Sequence, residues 1–257
     1  MKKYAVITFQ FNHYELLREP SVIDEDADYY CITDDKCLRS DKWNIIYLEE
    51  FNTDNLTGIQ KTYMAKYSFY KYIPTDYEYY FAIDGSMKVT DKLSPILQFM
   101  SENEYDIGLS IHPLRNTWNS EYEEWIRTRG LDRKYKNMFD TYAENNGFNP
   151  NSSTGLIECT MKIYKNTDNV IKFIDDVYET LKETNNFEDK NDQCYFTLTF
   201  RRHYKSLCPM FFCRQLYSNS KYFTKYQHNS NCIFENHFNR SNNPKLLFGE
   251  NVEIFDF

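Results

Sequence analysis

Short apolar runs that end on polar residues, with helix-period segments between some of them, constrain the fold of this chain more than any other feature. The first, Tyr4 to Phe11, is built of β-branched and aromatic residues, as a buried strand is, and it stops at Asn12-His13. Asp28 to Thr33 closes on Asp34-Asp35, Trp43 to Leu48 forms a third run, and Tyr79 to Ile83 finishes on Asp84-Gly85-Ser86. Between these, Ile59, Tyr63, Tyr67 and Tyr70 recur at spacings of three and four, which predicts a helix over 58–72 stopped by Pro74. Further strands are expected over 105–111 and 155–161, and helices over 121–129 and 169–184. Strands alternating with helices imply an α/β fold with a mainly parallel central sheet flanked by helices. With 257 residues, no internal repeat and no linker, a single domain over 1–257 is expected, although the segment after Leu207 has no regular pattern.

Composition narrows the partners. A formal charge of −8 and the lack of a long basic run argue against duplex binding, which needs Lys and Arg on phosphates, so no nucleic acid is expected. The 23 Tyr and 20 Phe could line a sugar site, but base composition in an AT-rich genome explains such an excess as well. Met1-Lys2-Lys3 begins like a signal peptide, yet Gln10, Asn12 and His13 break the apolar stretch, and no run approaches the roughly 20 residues of a membrane span. Seven scattered Cys with no Cys-x-x-Cys pair suit free thiols in a reducing compartment, so the expected location is cytoplasmic.

Open parallel sheets bind ligands beyond the carboxyl ends of their strands, which singles out Asn12-His13, Asp34-Asp35 and Asp84-Gly85-Ser86. An aspartate after a strand, with a glycine turn and a serine oxygen beside it, suits a hard cation such as Mg2+ or Mn2+ that takes oxygen ligands and shares a phosphate. The same tripeptide also makes ordinary turns.

Its context decides between these readings. Ile7 to Pro20, Asp28 to Asp35, and Tyr72 to Ser86 with Lys61 and Lys66 before it, together with Ile111 to Arg115, Gly155 to Glu158 and Asn191 to Phe196, form an ordered set over about residues 4–200. The set resembles the glycosyltransferase-like family that includes plant mucilage-polysaccharide-related proteins and microbial homologues. The resemblance implies a GT-A (Rossmann-like) fold, with residues 1–100 as the nucleotide-sugar half and 101–257 as the acceptor half. It also implies a cytoplasmic transferase of polysaccharide biosynthesis that uses a UDP- or GDP-sugar donor, a glycan acceptor, and manganese or magnesium.

The resemblance assigns roles by position. Thr8 and Phe9 would border the nucleoside, Asp34 or Asp35 would accept from base or ribose, and Lys61 or Lys66 would meet phosphate as a point charge. Asp84, Gly85 and Ser86 would hold the diphosphate. Asp84, Ser86 and His228 would hold the metal, with His237 a second histidine candidate; Ser86 stands where the more familiar Asp-x-Asp motif has its second aspartate. Asp192-Gln193 resembles the pair that retaining enzymes place beside the donor sugar, about 10 Å from the metal aspartate if a sugar and its diphosphate bridge them. Asp192 could equally be the N-cap of the helix that follows. His112, Arg115 and Gly155 would line the acceptor side.

Two other classes fit part of this pattern. A nucleotidyltransferase would bring a glycine-rich phosphate loop near its first strand, yet the first glycine here is Gly58. A sugar- or nucleotide-sugar-binding relative without catalysis is kept open by Ser86.

Overall fold

The structure is a computed structural model that describes residues 3–48, 56–112, 114–149, 155–185, 191–212 and 220–227. Nine strands are described: β1 (Tyr4–Gln10), β2 (Ala27–Thr33), β3 (Asn44–Tyr47), β4 (Tyr79–Asp84), β5 (Met87–Val89), β6 (Ile107–Ile111), β7 (Ile157–Lys165), β8 (Pro209–Phe212) and β9 (Phe223–Lys225). Six α-helices accompany them: α1 (Gly58–Ser68), α2 (Ser94–Glu102), α3 (Trp118–Arg129), α4 (Arg133–Asn145), α5 (Asp168–Asn185) and α6 (Asp192–His203). Seven strands form one sheet in the order β3-β2-β1-β4-β7-β6-β8, and β5 pairs with β9 in a separate ribbon.

The α/β, mainly parallel sheet expected from the sequence is present. β3, β2, β1 and β4 run parallel, as do β6 and β8, while β7 is antiparallel to both of its neighbours. The sequence could not show this reversal, because a buried antiparallel strand and a buried parallel one have the same apolar composition.

Period-two alternation distributes side chains to two cores. Ala5, Ile7 and Phe9 of β1 join the cluster under α1, α3, α4, α5 and α6, whereas Tyr4 and Val6 join the cluster under α2, β5 and Trp43. All seven residues of β1 are buried, including the polar Thr8 and Gln10. Covered on both faces, such a strand gives the continuous run from which it was read.

Helix ends follow local chemistry. Thr57 and Gln60 make a reciprocal capping box at α1, and Thr117 with Ser120 does the same at α3. α3 ends on Gly130 at φ 65°, the left-handed position that favours glycine. The helix expected over 58–72 is shorter: α1 stops at Ser68 and Phe69–Lys71 tighten into a 3-10 turn before Pro74 is reached. The Asn12 side chain lies against Gly58, where a Cβ would fall 1.7 Å from its amide and would have to displace it.

Candidate active site

Asp84 is the last residue of β4, so it stands at the carboxyl end of the parallel strands, where sheets of this kind keep their ligands. Lys66 on α1 reaches it: the Nζ lies 3.1 Å from Asp84 Oδ1 and 2.8 Å from Asp192 Oδ2. Tyr67, the next residue of α1, donates its hydroxyl to the same Asp192 oxygen at 2.7 Å. The two carboxylate oxygens therefore lie within roughly 6 Å of one another, which corrects the separation of roughly 10 Å expected from the sequence. One ammonium gathers both of them.

Both α1 and α6 pack on α5, and side chains of the two meet beside it. Tyr67 stacks near Phe196 of α6, with ring centres 6.1 Å apart. Asp192 is the first residue of α6, where a carboxylate meets the positive end of the helix dipole, and Asn191 rather than Asp192 occupies the cap position. Beneath the cluster Lys162 of β7 is fully buried; it donates to the Cys159 carbonyl at 2.7 Å and lies over the rings of Tyr67 and Phe196 at 5.4 and 5.5 Å.

Charge states follow from this arrangement. Burial alone would lower the pKa of the Lys66 ammonium, but Asp192 and then Asp84 outweigh it and raise the group above the usual lysine range. Burial would likewise raise the Asp192 carboxyl, and Lys66 followed by Lys162 reverses this, so it lies below the usual range. Lys162 is lowered by its burial and by Lys66.

A second network forms the other side of the site. His112 directly follows β6, and its Nδ1 accepts the Leu114 and Arg115 backbone N–H groups at 3.2 and 3.0 Å. Arg115 Nη2 lies 2.9 Å from His112 Nε2, and Arg115 Nε pairs with Glu121 on α3, which is fully buried. The other oxygen of Glu121 accepts from Gln193 Nε2 at 2.9 Å, so the Gln193 amide is oriented and its buried Oε1 has no hydrogen-bond partner among the described residues. Burial raises the Glu121 carboxyl in spite of Arg115. Glu158 and Thr160, two apart on β7 and so on one face, bond to each other, and Lys225 of β9 stands 3.9 Å from Glu158. Burial would raise Glu158, yet Lys225 and then His112 keep it below the usual range.

These groups line one cleft of about 230 Å3, which also takes in Trp125 with the Arg129 guanidinium 3.9 Å from its ring centre. Of the residues singled out in the sequence, Lys66, Asp84, Ser86, His112, Arg115, Asp192 and Gln193 line it. The rest lie elsewhere. Thr8 is 2% exposed, and Phe9 belongs to the core under α1. Asp34 accepts from the Asn12 backbone at 3.1 Å, tying the ends of β1 and β2 together, and Asp35 accepts from that of Cys37 at 2.8 Å, as a turn residue does. Lys61 precedes Lys66 by five residues, roughly 140° around the helix, and does not line the cleft. Gly155 has φ 60°. His228 and His237 lie outside the described residues, as does Pro113. Gly85 is needed for close approach: a Cβ there would sit 2.5 Å from Gln10 Nε2, and both amide atoms of the buried Gln10 lack partners among the described residues.

Sequence reasoning missed Glu121, Trp125, Arg129, Lys225 and the buried Lys162. Glu158 and Thr160 could have been found from their period-two spacing after Gly155. Lys225 carried no signal, because it comes from the segment without a pattern.

The described residues alone form no closed cage for a divalent cation. No group of three or more His, Cys, Asp or Glu side chains converges among the described residues, so a hard cation here would draw most of its six oxygens from phosphate and water. Asp84 gives Oδ1 to an ammonium, and Ser86 is 1% exposed. No described helix is long and apolar enough to cross a membrane.

Neither a protein-family profile nor a curated protein sequence matches the chain. Among solved structures, mouse xyloside xylosyltransferase 1 in its apo form is similar over 79% of this chain and 83% of that chain, at 10% identity and a TM-score of 0.43. That likeness is too distant to transfer residue roles, and the resemblance to the mucilage-related family rests on the motifs alone.

Proposed function

We propose that this chain is a GT-A-type glycosyltransferase that moves a sugar from a UDP- or GDP-sugar to a hydroxyl of a glycan acceptor. The observation that carries the reading is the meeting of Asp84, Lys66 and Asp192-Gln193 in one polar cleft at the carboxyl end of β4. These residues lie at positions up to 127 apart in the chain.

Glycosyl transfer needs three things of a protein: positive charge on the departing diphosphate, oxygens near the anomeric carbon as it gains positive charge, and an orienting surface for the acceptor. Lys66 and Lys225 serve the first. Asp192 and Gln193 Oε1, which has no hydrogen-bond partner among the described residues, serve the second, the amide being held by Glu121. His112 and Arg115, with Trp125 as a ring on which a sugar can stack, serve the third. Either Glu158 or Glu121 is placed to take the acceptor proton, Glu121 having the more basic carboxyl.

The test is a panel of UDP- and GDP-sugars followed for release of nucleoside diphosphate, with Asp84→Asn as control. At least one donor is expected to turn over, and the variant, which keeps size but removes one of the two charges that hold Lys66 in place, is expected to fall by about 100-fold, or roughly 2.7 kcal/mol of transition-state stabilisation. Donor binding without release would leave a nucleotide-sugar-binding protein, and release of pyrophosphate from nucleoside triphosphates would make it a nucleotidyltransferase.

A further inference from the structure

We propose that Lys66 itself fills the cation position beside Asp84, so that this chain binds a nucleoside diphosphate through lysines and without a divalent metal ion. The proposal rests on the glycosyltransferase reading above and concerns how the same cleft meets the donor's diphosphate.

The place beside Asp84 is already held by a positive charge. Lys66 Nζ stands 3.1 Å from Asp84 Oδ1 and 2.8 Å from Asp192 Oδ2, and a side chain 7% exposed cannot swing out to make room for a hydrated ion. An ammonium has three N–H donors. Among the described residues two carboxylates pair with this one, so the third donor remains for an oxygen entering the cleft that Lys66 lines. A phosphate oxygen is the acceptor best matched to a buried ammonium.

A second lysine is delivered by the fold. β9 pairs with β5, Met87 opposite Lys225, and the Tyr226 N–H donates to the Ser86 carbonyl at 2.9 Å. This ribbon ties Lys225 to the Asp84-Gly85-Ser86 turn, with its Nζ 3.5 Å from Thr160 Oγ1 and 3.9 Å from Glu158, both in the cleft lining. Lys66 and Lys225 thus enter one cleft from α1 and from β9. A diphosphate lying between them would meet positive charge at both phosphates.

The experiment is calorimetric titration of the full chain with UDP and with GDP, once in EDTA and once in excess Mn2+, together with electron-spin-resonance counting of bound Mn2+. At least one nucleotide is expected to bind with affinities that agree within about twofold in the two buffers, with no Mn2+ taken up by the complex. Lys225→Gln is expected to weaken that binding by about tenfold in EDTA; Lys66→Gln is expected to do so by more and, by freeing two facing carboxylates, to make binding depend on Mn2+. Lys66→Gln removes the partner of a buried aspartate and could unfold; the wild-type comparison and Lys225→Gln do not depend on it. Wild-type binding that is about tenfold tighter in Mn2+ than in EDTA overturns the proposal and leaves the glycosyltransferase reading standing. Unchanged binding by Lys225→Gln overturns the part given to that lysine. Failure of both nucleotides in both buffers overturns the glycosyltransferase reading, and this proposal with it.

Discussion

Replacing Asp192 by Asn should destabilise the chain by about 3 kcal/mol, for reasons that can be worked from the cluster. At 2.8 Å and an effective dielectric of about 20, the attraction between Lys66 and Asp192 is about 6 kcal/mol. The exchange also relieves the several kcal/mol that burying a carboxylate costs, and Asp84 stays 3.1 Å from the ammonium, so the net loss is about half the attraction. Tyr67 can still donate to the amide oxygen, which keeps the local packing. In a chain of this size the expected fall in Tm is roughly 6–12 °C. Thermal unfolding followed by circular dichroism at neutral pH measures it. The pH dependence gives a second reading. The folded carboxyl lies below its ordinary value, so its contribution is fully present above about pH 4 and is lost as pH falls through the folded value. The Tm difference between wild type and variant should therefore be flat from about pH 5 upward and shrink on acidification below about pH 4. A shift under about 2 °C at neutral pH, or a difference that persists in acid, would refute the claim that the pair is buried and charged.

Other substitutions probe the frame around the site. Gly108→Ala places a Cβ 2.5 Å from Phe212 Cζ and 3.1 Å from Ile163 Cβ, so overpacking between β6, β7 and β8 should cost about 1–3 kcal/mol in urea titrations; a neutral result would mean that β8 shifts freely. Glu121→Ala strips the acceptor shared by Arg115 and Gln193 and should cost about 3 kcal/mol, whereas Glu121→Gln keeps one acceptor oxygen and should recover about half of that. Equal Tm values for the two Glu121 variants would show that the carboxylate does not organise the network.

What could be read in the chain by itself was local. Apolar runs ending on polar residues marked β1, β2 and β4, because a strand covered on both faces must be apolar along its length and must surrender its polar residues to its ends. Asp84 was legible because it directly follows such a run, and His112 for the same reason after β6. Lys66, Asp192 and Gln193 were singled out from the motif resemblance alone, since a lysine within a helix and an aspartate at a helix start look the same whether they face water or a ligand.

Tertiary structure decided which of these residues meet. Periodicity tells which face of an element is buried and not what lies against it, so nothing local could state that α1 packs on α5 beside α6 and delivers Lys66 to two carboxylates 18 and 126 positions further along the chain. The same assembly left Asp34 bonded to the Asn12 backbone rather than lining the cleft. It reversed β7, brought Glu121 of α3 under Gln193, and used a three-residue ribbon strand from an unpatterned segment to set Lys225 beside Glu158. Each of those contacts joins residues far apart in sequence, and its stability comes from burial shared between elements, a quantity that exists only once the elements are assembled.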